Sequence, residues 1–148
     1  MHPLDKFQYC PVCGSKTFSI HNFKSKQCEA CVFVYDANPC SATAAFILNG
    51  RGELLVARRG KEPAKDTLDL PGGFVDMGET VEDGMRREIL EETGLTVSNM
   101  RYLFSIPNQY LYSGMLIHTI DMFYEVHVDN DVHPIARSEE RFSRNAET

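Results

Sequence analysis

Residues 73–95 read GFVDMGETVEDGMRREILEETGL, and this stretch decides how the rest of the chain is read. Pro71-Gly72-Gly73 leads into it as a glycine turn, where left-handed backbone angles are accepted and a ligand can come close. A second turn follows at Asp76-Met77-Gly78. Thr80 then offers an N-cap, and Asp83 three residues on completes a capping box of the Thr-x-x-acid kind. Glu82 and Asp83 fall in the first turn, where the helix dipole favours anions, and Gly94 supplies a left-handed stop. The spacing predicts one helix, Val81 to Thr93.

At ~100° per residue, Val81, Met85 and Ile89 form one apolar stripe. Glu88 and Glu92 project along nearly the same azimuth one and two turns further on, and Glu91 lies beside them. The stripe therefore begins as core and ends as three carboxylates. Like charges at i,i+4 destabilise a helix by ~0.2–0.5 kcal/mol per pair, and Arg87 alone cannot neutralise three of them. A divalent metal is the natural missing partner, and oxygen-only ligands suit a hard ion such as Mg²⁺ or Mn²⁺. A solvated acidic face is the ordinary alternative. The glycine turn ahead of the helix and the core beside it favour the metal.

Gly73, five residues, Glu79, seven residues, Arg87-Glu88-Ile89, one residue, Glu91-Glu92, one residue and Gly94-Leu95 together resemble the Nudix box at every defined position. The box covers 23 residues, and the flanking chain from Ala42 to Val128 is similar to the same family. The resemblance implies an α/β fold, a Nudix α/β/α sandwich with a mixed β-sheet. It also implies a Mg²⁺-dependent pyrophosphohydrolase that cuts the pyrophosphate linking a nucleoside to another group. On the same ground Glu88, Glu91 and Glu92 are expected to bind the metal, with Glu88 or a loop glutamate as catalytic base. Arg87 is expected to orient Glu88, and Glu79 to secure the geometry between loop and helix. The backbone around Gly72 and Gly73 is expected to contact substrate and lend a carbonyl ligand. Glu139 or Glu140 falls where relatives of this kind place a further loop carboxylate.

The chain has 148 residues, 43% hydrophobic and 24% charged, values of a water-soluble globular protein. That length allows one domain of ordinary size and a small appendage. A net charge of −6 does not suggest a nucleic-acid scaffold, which usually carries a basic patch. No apolar run approaches the ~20 residues that span a bilayer. The first residues, MHPLDKFQYC, lack the basic start and apolar core of a signal peptide. A cytoplasmic location is expected, and in a reducing compartment the five cysteines read as metal ligands or free thiols.

Cys10-Pro-Val-Cys13 and Cys28-Glu-Ala-Cys31 are two Cys-x-x-Cys pairs with fourteen residues between them. Two such turns present four thiolates to one tetrahedral Zn²⁺. Between the pairs, Lys16 to Phe23 alternates apolar and polar residues like an exposed hairpin strand. About 35 residues cannot bury enough surface to fold alone, so metal binding would supply the stability. Four thiolates leave no open position, and the role of this zinc is structural. Residues 1–38 resemble the zinc ribbon that precedes the catalytic domain in NADH-pyrophosphatase-like Nudix proteins, which leaves residues 39–148 as the Nudix hydrolase domain. His21 is read as a surface residue.

Cys40, the odd cysteine, is expected to be a small buried residue. Ser41 to Leu48 reads as a buried strand, Asn49-Gly50-Arg51-Gly52 as a hairpin turn, and Glu53 to Arg58 as a second strand pairing back. Arg58 and Arg59 emerge at its end, where guanidinium matches phosphate geometry; ordinary surface charge is the alternative. Thr67 to Leu70 is a short strand feeding the box. Relatives often carry a Trp near Leu68, and this chain has none. Val97 to Ile106 reads as strand, Pro107-Asn108-Gln109-Tyr110 as loop and Ser113-Gly114 as turn. Ile120, Met122, Tyr124, Val126 and Val128 alternate with polar neighbours in a long half-buried strand. The last twenty residues show neither the closing strand nor the closing helix usual in the family, so this end is read as shortened or altered.

Ser105-Ile-Pro107 stands where NADH pyrophosphatases carry a Ser-Gln-Pro-Trp-Pro-Phe-Pro signature, of which only the serine and the first proline match. The resemblance therefore favours ADP-ribose or a similar sugar nucleotide, with NADH or a nucleoside triphosphate as alternatives. Tyr110 and Tyr112 are candidates for stacking a base or sugar. A non-catalytic nucleotide sensor is the remaining alternative. The expected partner is a small-molecule nucleotide; neither membrane nor nucleic acid is expected, and a homodimer is compatible with the reading.

Overall fold

The structure is a computed structural model and describes residues 1–58 and 68–128. Arg59, Glu139, Glu140 and the expected altered C-terminal end lie outside the described residues, as does the side chain of Arg58.

Three short antiparallel strands open the chain: β1 (Phe18–Ile20), β2 (Ser25–Cys28) and β3 (Val34–Asp36), in the order β1-β2-β3. Their core is small and rich in sulfur. Cys10, Phe18 and Cys28 are buried, with Cys31 and Phe33 packed against them. The segment before β1 is tied down by Lys26, whose buried Nζ donates to the Phe7 carbonyl at 2.7 Å. Gly14 turns the chain after the first cysteine pair at φ 73°, and its N–H bonds Cys10 O at 2.9 Å. Sequence alternation in Lys16–Phe23 is realised as the hairpin strand β1, and His21 is exposed.

The larger sheet has the order β5-β4-β9-β8, built from β4 (Cys40–Leu48), β5 (Leu54–Leu55), β8 (Val97–Tyr112) and β9 (Met115–Val128). β4 and β9 run parallel through nine register pairs from Cys40↔Thr119 to Leu48↔His127, and the other pairings are antiparallel. The sheet is therefore mixed, as expected. A separate two-stranded ladder joins β6 (Ala57–Arg58) to β7 (Leu68–Asp69). The helix α1 runs Val81–Thr93, the predicted span. Both ends close locally. Thr80 Oγ1 accepts from Asp83 N–H, and Gly94 at φ 73° donates to Leu90 O. Asp83 does not complete the reciprocal box through its backbone partner; its Oδ2 accepts instead from the Thr80 hydroxyl at 2.7 Å.

Met85 and Ile89 of α1 meet Ala45, Ile47, Tyr124, Val126 and Val128 of β4 and β9 in one core, closed by Leu95. Each of Ile47, Met85, Ile89 and Val126 is almost fully buried, contributing roughly 1.5–3 kcal/mol of transfer free energy apiece. This docking fixes where the last turns of α1 point, and so where the glutamates stand.

Four expectations need correction. Cys40 is exposed, because it opens β4 beyond the part covered by the helix. The stretch Glu53–Arg58 is two short strands in different sheets rather than one. β8 does not end at Ile106 but runs on through Pro107 and Tyr110 to the Ser113-Gly114 turn. Proline is tolerated there because, among the described residues, β8 is the edge of the sheet, where a missing N–H breaks no ladder on the outer side. Lastly, the inward face of β9 switches along its length. Ile120 is 41% exposed while Thr119 and Asp121 are buried at 1% and 6%. The helix covers the C-terminal half of β9, and the other face of its first half is closed by the segment around Phe74, which bridges Ala42 of β4 and meets Tyr110 ring to ring at 6.4 Å.

Candidate active site

The glycine turn lies against β4 as an extra, irregular strand. Thr43 N donates to Gly73 O at 2.8 Å, Ala45 N to Pro71 O at 2.8 Å, and Val75 N to Ser41 O at 3.0 Å. A Cβ on Gly72 would sit 2.0 Å from the Thr43 carbonyl oxygen, and one on Gly73 would sit 2.6 Å from Glu88 Cδ. The two glycines therefore serve different neighbours. Gly72 lets backbone touch backbone, and Gly73 makes room for a carboxylate.

Arg87 binds the helix to this turn. Its Nε and Nη2 donate to Glu79 Oε2 and Oε1 at 3.1 and 2.5 Å, its Nη2 also to Phe74 O at 3.0 Å, and its Nη1 to Glu88 Oε1 at 2.6 Å. Asp76 and Glu91 stand further off, at 3.5 and 3.7 Å. Hydrogen bonding to Glu79 raises the Arg87 pKa further still, and the same bond lowers that of Glu79. Glu79 Oε1 also accepts from Asp76 N–H at 2.7 Å, so it ties the second turn to the helix as the sequence implied. Gly84 was not singled out from the sequence, yet a Cβ there would lie 2.9 Å from Glu79 Oε1. Its signal was available: glycine inside a helix costs up to ~1 kcal/mol against alanine and so points to a packing reason.

The three glutamates end in three different environments. Glu92 is 6% exposed, and its Oε2 accepts from Gly72 N–H at 3.1 Å. Burial, joined by the charges of Glu88, Asp69 and Glu91, pushes its pKa up to about 8 against the relief from Gly72. Burial also raises Glu88, with Arg87 pulling the other way. Glu91 is the most exposed, with its side chain 39% accessible. Their oxygens do not converge as tightly as thiols of a preformed site. Among the described residues, only Cys10, Cys13, Cys28 and Cys31 bring three or more ligand atoms within 4.8 Å of one another. Even so, the donor set fits a hard divalent cation: all ligands are oxygens, and a buried carboxylate resists ionising until a positive charge joins it.

The cysteines fit zinc more directly. Sγ of Cys10 and Cys31, and of Cys13 and Cys28, are each 3.6 Å apart. Bonds of ~2.3 Å in a tetrahedron set sulfur–sulfur edges of ~3.8 Å, close to that spacing. Backbone amides directed at Cys28, that of Cys31 first, lower its thiol, while the crowding of the other sulfurs raises Cys13 and Cys31, as four thiols sharing one small space without a cation should. The three-stranded unit with its four thiols thus fits a zinc ribbon.

Beside Glu92 opens a cavity of about 250 Å³, walled by the glycine turn on one side and by β4, β8 and β9 on others. Asp121 of β9 belongs to its wall. Thr119 Oγ1 donates to its Oδ1 at 2.7 Å, and Asn108 Nδ2 and Tyr110 Oη donate to its Oδ2 at 2.8 and 2.9 Å. Burial and this bond raise Tyr110 to about 12. Asn108 and Tyr110, expected in a loop, lie in β8, and Asp121 faces them from β9. Of the two candidate stacking tyrosines, Tyr110 lines the cavity and Tyr112 is exposed.

A family model described as NUDIX domain matches residues 38–145. The chain is 34% identical over 109 residues to the NAD-capped RNA hydrolase NudC of Haemophilus influenzae (strain PittGG), a match covering 72% of this chain and 40% of that one. It thus spans less than half the length of that curated relative. Among solved structures, a MutT NUDIX hydrolase from Burkholderia pseudomallei superposes with a TM-score of 0.57 at 27% identity, over 68% of this chain and 75% of that one. A NUDIX hydrolase from Nitrosomonas europaea gives a TM-score of 0.65 over 89% of this chain and 73% of that one; at 20% identity it shows the fold alone.

Proposed function

This chain belongs to the NUDIX family, and on that premise we propose that it is a divalent-cation-dependent hydrolase of a nucleoside diphosphate linked to another group. The observation that carries the reading is Glu92, a buried carboxylate raised to about 8 and aimed at a glycine turn beside a cavity. In this reading Glu88, Glu91 and Glu92 hold Mg²⁺ or Mn²⁺. Such a cation, when bound, neutralises charge on the pyrophosphate and acidifies water.

The chain's own groups do the rest. Gly72 N–H pins Glu92, and Arg87 pins Glu88 while drawing on Glu79 for its own orientation. Glu88, held in place by Arg87 and half-buried beside the glycine turn, takes the proton of the attacking water at its carboxylate. The four cysteines hold one structural Zn²⁺ in a ribbon of residues 1–38, and residues 39–148 form the hydrolase domain.

ADP-ribose or a similar sugar nucleotide is the favoured substrate. A second reading takes NADH or an NAD-capped RNA, because the relative at 34% identity is named for the latter. Incubation with Mg²⁺ and a panel of ADP-ribose, NADH, an NAD-capped RNA and nucleoside triphosphates separates them. We expect AMP released from ADP-ribose, and none without the metal. No metal-dependent product from any member would overturn the reading and leave a nucleotide-binding module.

A further inference from the structure

We propose that Asp121 selects the base of the nucleotide, accepting a hydrogen bond from an exocyclic amine and so preferring adenine to purines without that group. The proposal deepens the hydrolase reading and rests on it for the direction in which substrate lies.

The cavity sets the size of what enters. At about 250 Å³ it falls below the roughly 300–1,000 Å³ of sites that enclose drug-sized ligands. It holds a base with the adjoining part of one nucleotide and not a whole dinucleotide. Its walls suit a flat ring, with Phe74, Tyr110 and Phe123 contributing aromatic faces and Ala42 and Ala44 leaving space. Phe123 itself stacks on Phe104 at 4.8 Å. Glu92 and the glycine turn line the same cavity, which places the pyrophosphate end of a nucleotide there and sends the base toward β8 and β9.

The polar groups set what the ring must offer. A carboxylate accepts only, at about four lone-pair positions. Thr119, Asn108 and Tyr110 occupy three of them on Asp121, one on Oδ1 and two on Oδ2. These three are its hydrogen-bond donors among the described residues, which leaves one acceptor position on Oδ1 for a ligand. No Lys, Arg or His is among the described residues that line the cavity, so nothing cationic offsets Asp121 there. A phosphate or a carbonyl oxygen directed at this wall is repelled. An amine is drawn in. The three neutral donors also hold the carboxylate in one orientation, so little ordering is required of it when a ligand arrives.

Calorimetric titration of the full chain in Mg²⁺ with AMP, purine riboside 5′-monophosphate and IMP tests this directly. These differ only at the six position of the base and at N1. We expect AMP to bind roughly 10- to 100-fold more tightly than the purine analogue, the loss typical of a missing hydrogen bond to a charged group, and IMP to bind least. Asp121→Asn should bring the three affinities together, whereas Tyr110→Phe, which removes one competing donor, should keep AMP ahead. Should Asp121→Asn fail to fold, the wild-type series decides alone. Equal affinities for the three in the wild type, no binding of any at millimolar concentration, or an unchanged AMP preference in a folded Asp121→Asn would each overturn the proposal. Tight, selective AMP binding without hydrolysis of any substrate would count against the hydrolase reading only. Equal hydrolysis of ADP-ribose and its hypoxanthine analogue would count against the base selection only.

Discussion

Arg87 Nη1 stands 2.6 Å from Oε1 of Glu88, its own neighbour in the sequence, while Nε and Nη2 clasp both oxygens of Glu79 eight residues earlier. Residues adjacent on a helix normally point about 100° apart. The two meet because each bends toward the glycine turn, Arg87 to Phe74 O and Glu88 into the space that Gly73 leaves.

Arg87→Lys keeps the charge and loses the fork. An ammonium cannot reproduce the paired contact with Glu79 and reach Glu88 as well. We expect turnover to fall by about 100-fold, the order of loss for catalytic groups displaced by ~1 Å, with a smaller change in KM. Steady-state kinetics with ADP-ribose check this, and wild-type turnover in the Lys variant would remove Arg87 from the site.

Glu92→Gln should separate stability from activity through pH. The Glu92 carboxyl is raised from 4.5 to about 8 by burial, so the folded protein holds a proton that the unfolded chain releases. Its contribution is fully present below about 4.5 and is lost as pH rises toward 8. Without metal, thermal stability should therefore decline between those values, and Glu88 adds in the same direction. Melting curves of the Gln variant should be flatter across that window, and its Mg²⁺-dependent activity should be nearly gone. Mg²⁺ should restore more stability to the wild type at pH 8 than at pH 6.

The two turn glycines should fail differently when given a methyl group. In Gly72→Ala the new Cβ meets the Thr43 backbone oxygen, which cannot move without parting the turn from β4. A loss of roughly 1–3 kcal/mol or more is expected. In Gly73→Ala the neighbour is the end of the Glu88 side chain, which can turn aside. That variant should melt near the wild type yet hydrolyse poorly. Differential scanning calorimetry beside an activity assay reads both; equal melting of the two variants would contradict the distinction.

Elemental analysis of freshly reduced protein should find one zinc per chain. Cys28→Ser should release it and expose the amides of β1 to β3 to hydrogen exchange, since the ribbon's own core is only Cys10, Phe18 and Cys28 with two flanking groups. Two disulfides, or no stoichiometric metal, would refute the zinc site.

The helix was legible to its end residues because both of its stops are local: a threonine that caps the third residue on, and a glycine that closes the last turn. The turn at Ser113-Gly114 was legible for the same reason. What escaped depends on partners distant in sequence. Pro107 looks like a loop until β8 is known to be an edge strand, and Ile120 looks buried until it is known that α1 stops short of it. Asp121 escaped for the same reason, since its donors Asn108 and Tyr110 come from the facing strand of a long hairpin. Within the site, the identities of the glutamates were readable, but not the unequal burial that sets Glu92 apart from Glu91.

The parallel pairing of β4 with β9 also orders events in time. Cys40 faces Thr119, about 80 residues later, so the ladder that anchors the core cannot begin until all the residues between them have been made. The ribbon joins only near neighbours, Phe18 to Cys28 and Ser25 to Asp36, and can close around its metal while the ribosome is still producing the rest. During synthesis, β4 emerges before its partner exists. For that interval its bare apolar side is a liability that a chaperone, or speed, must cover.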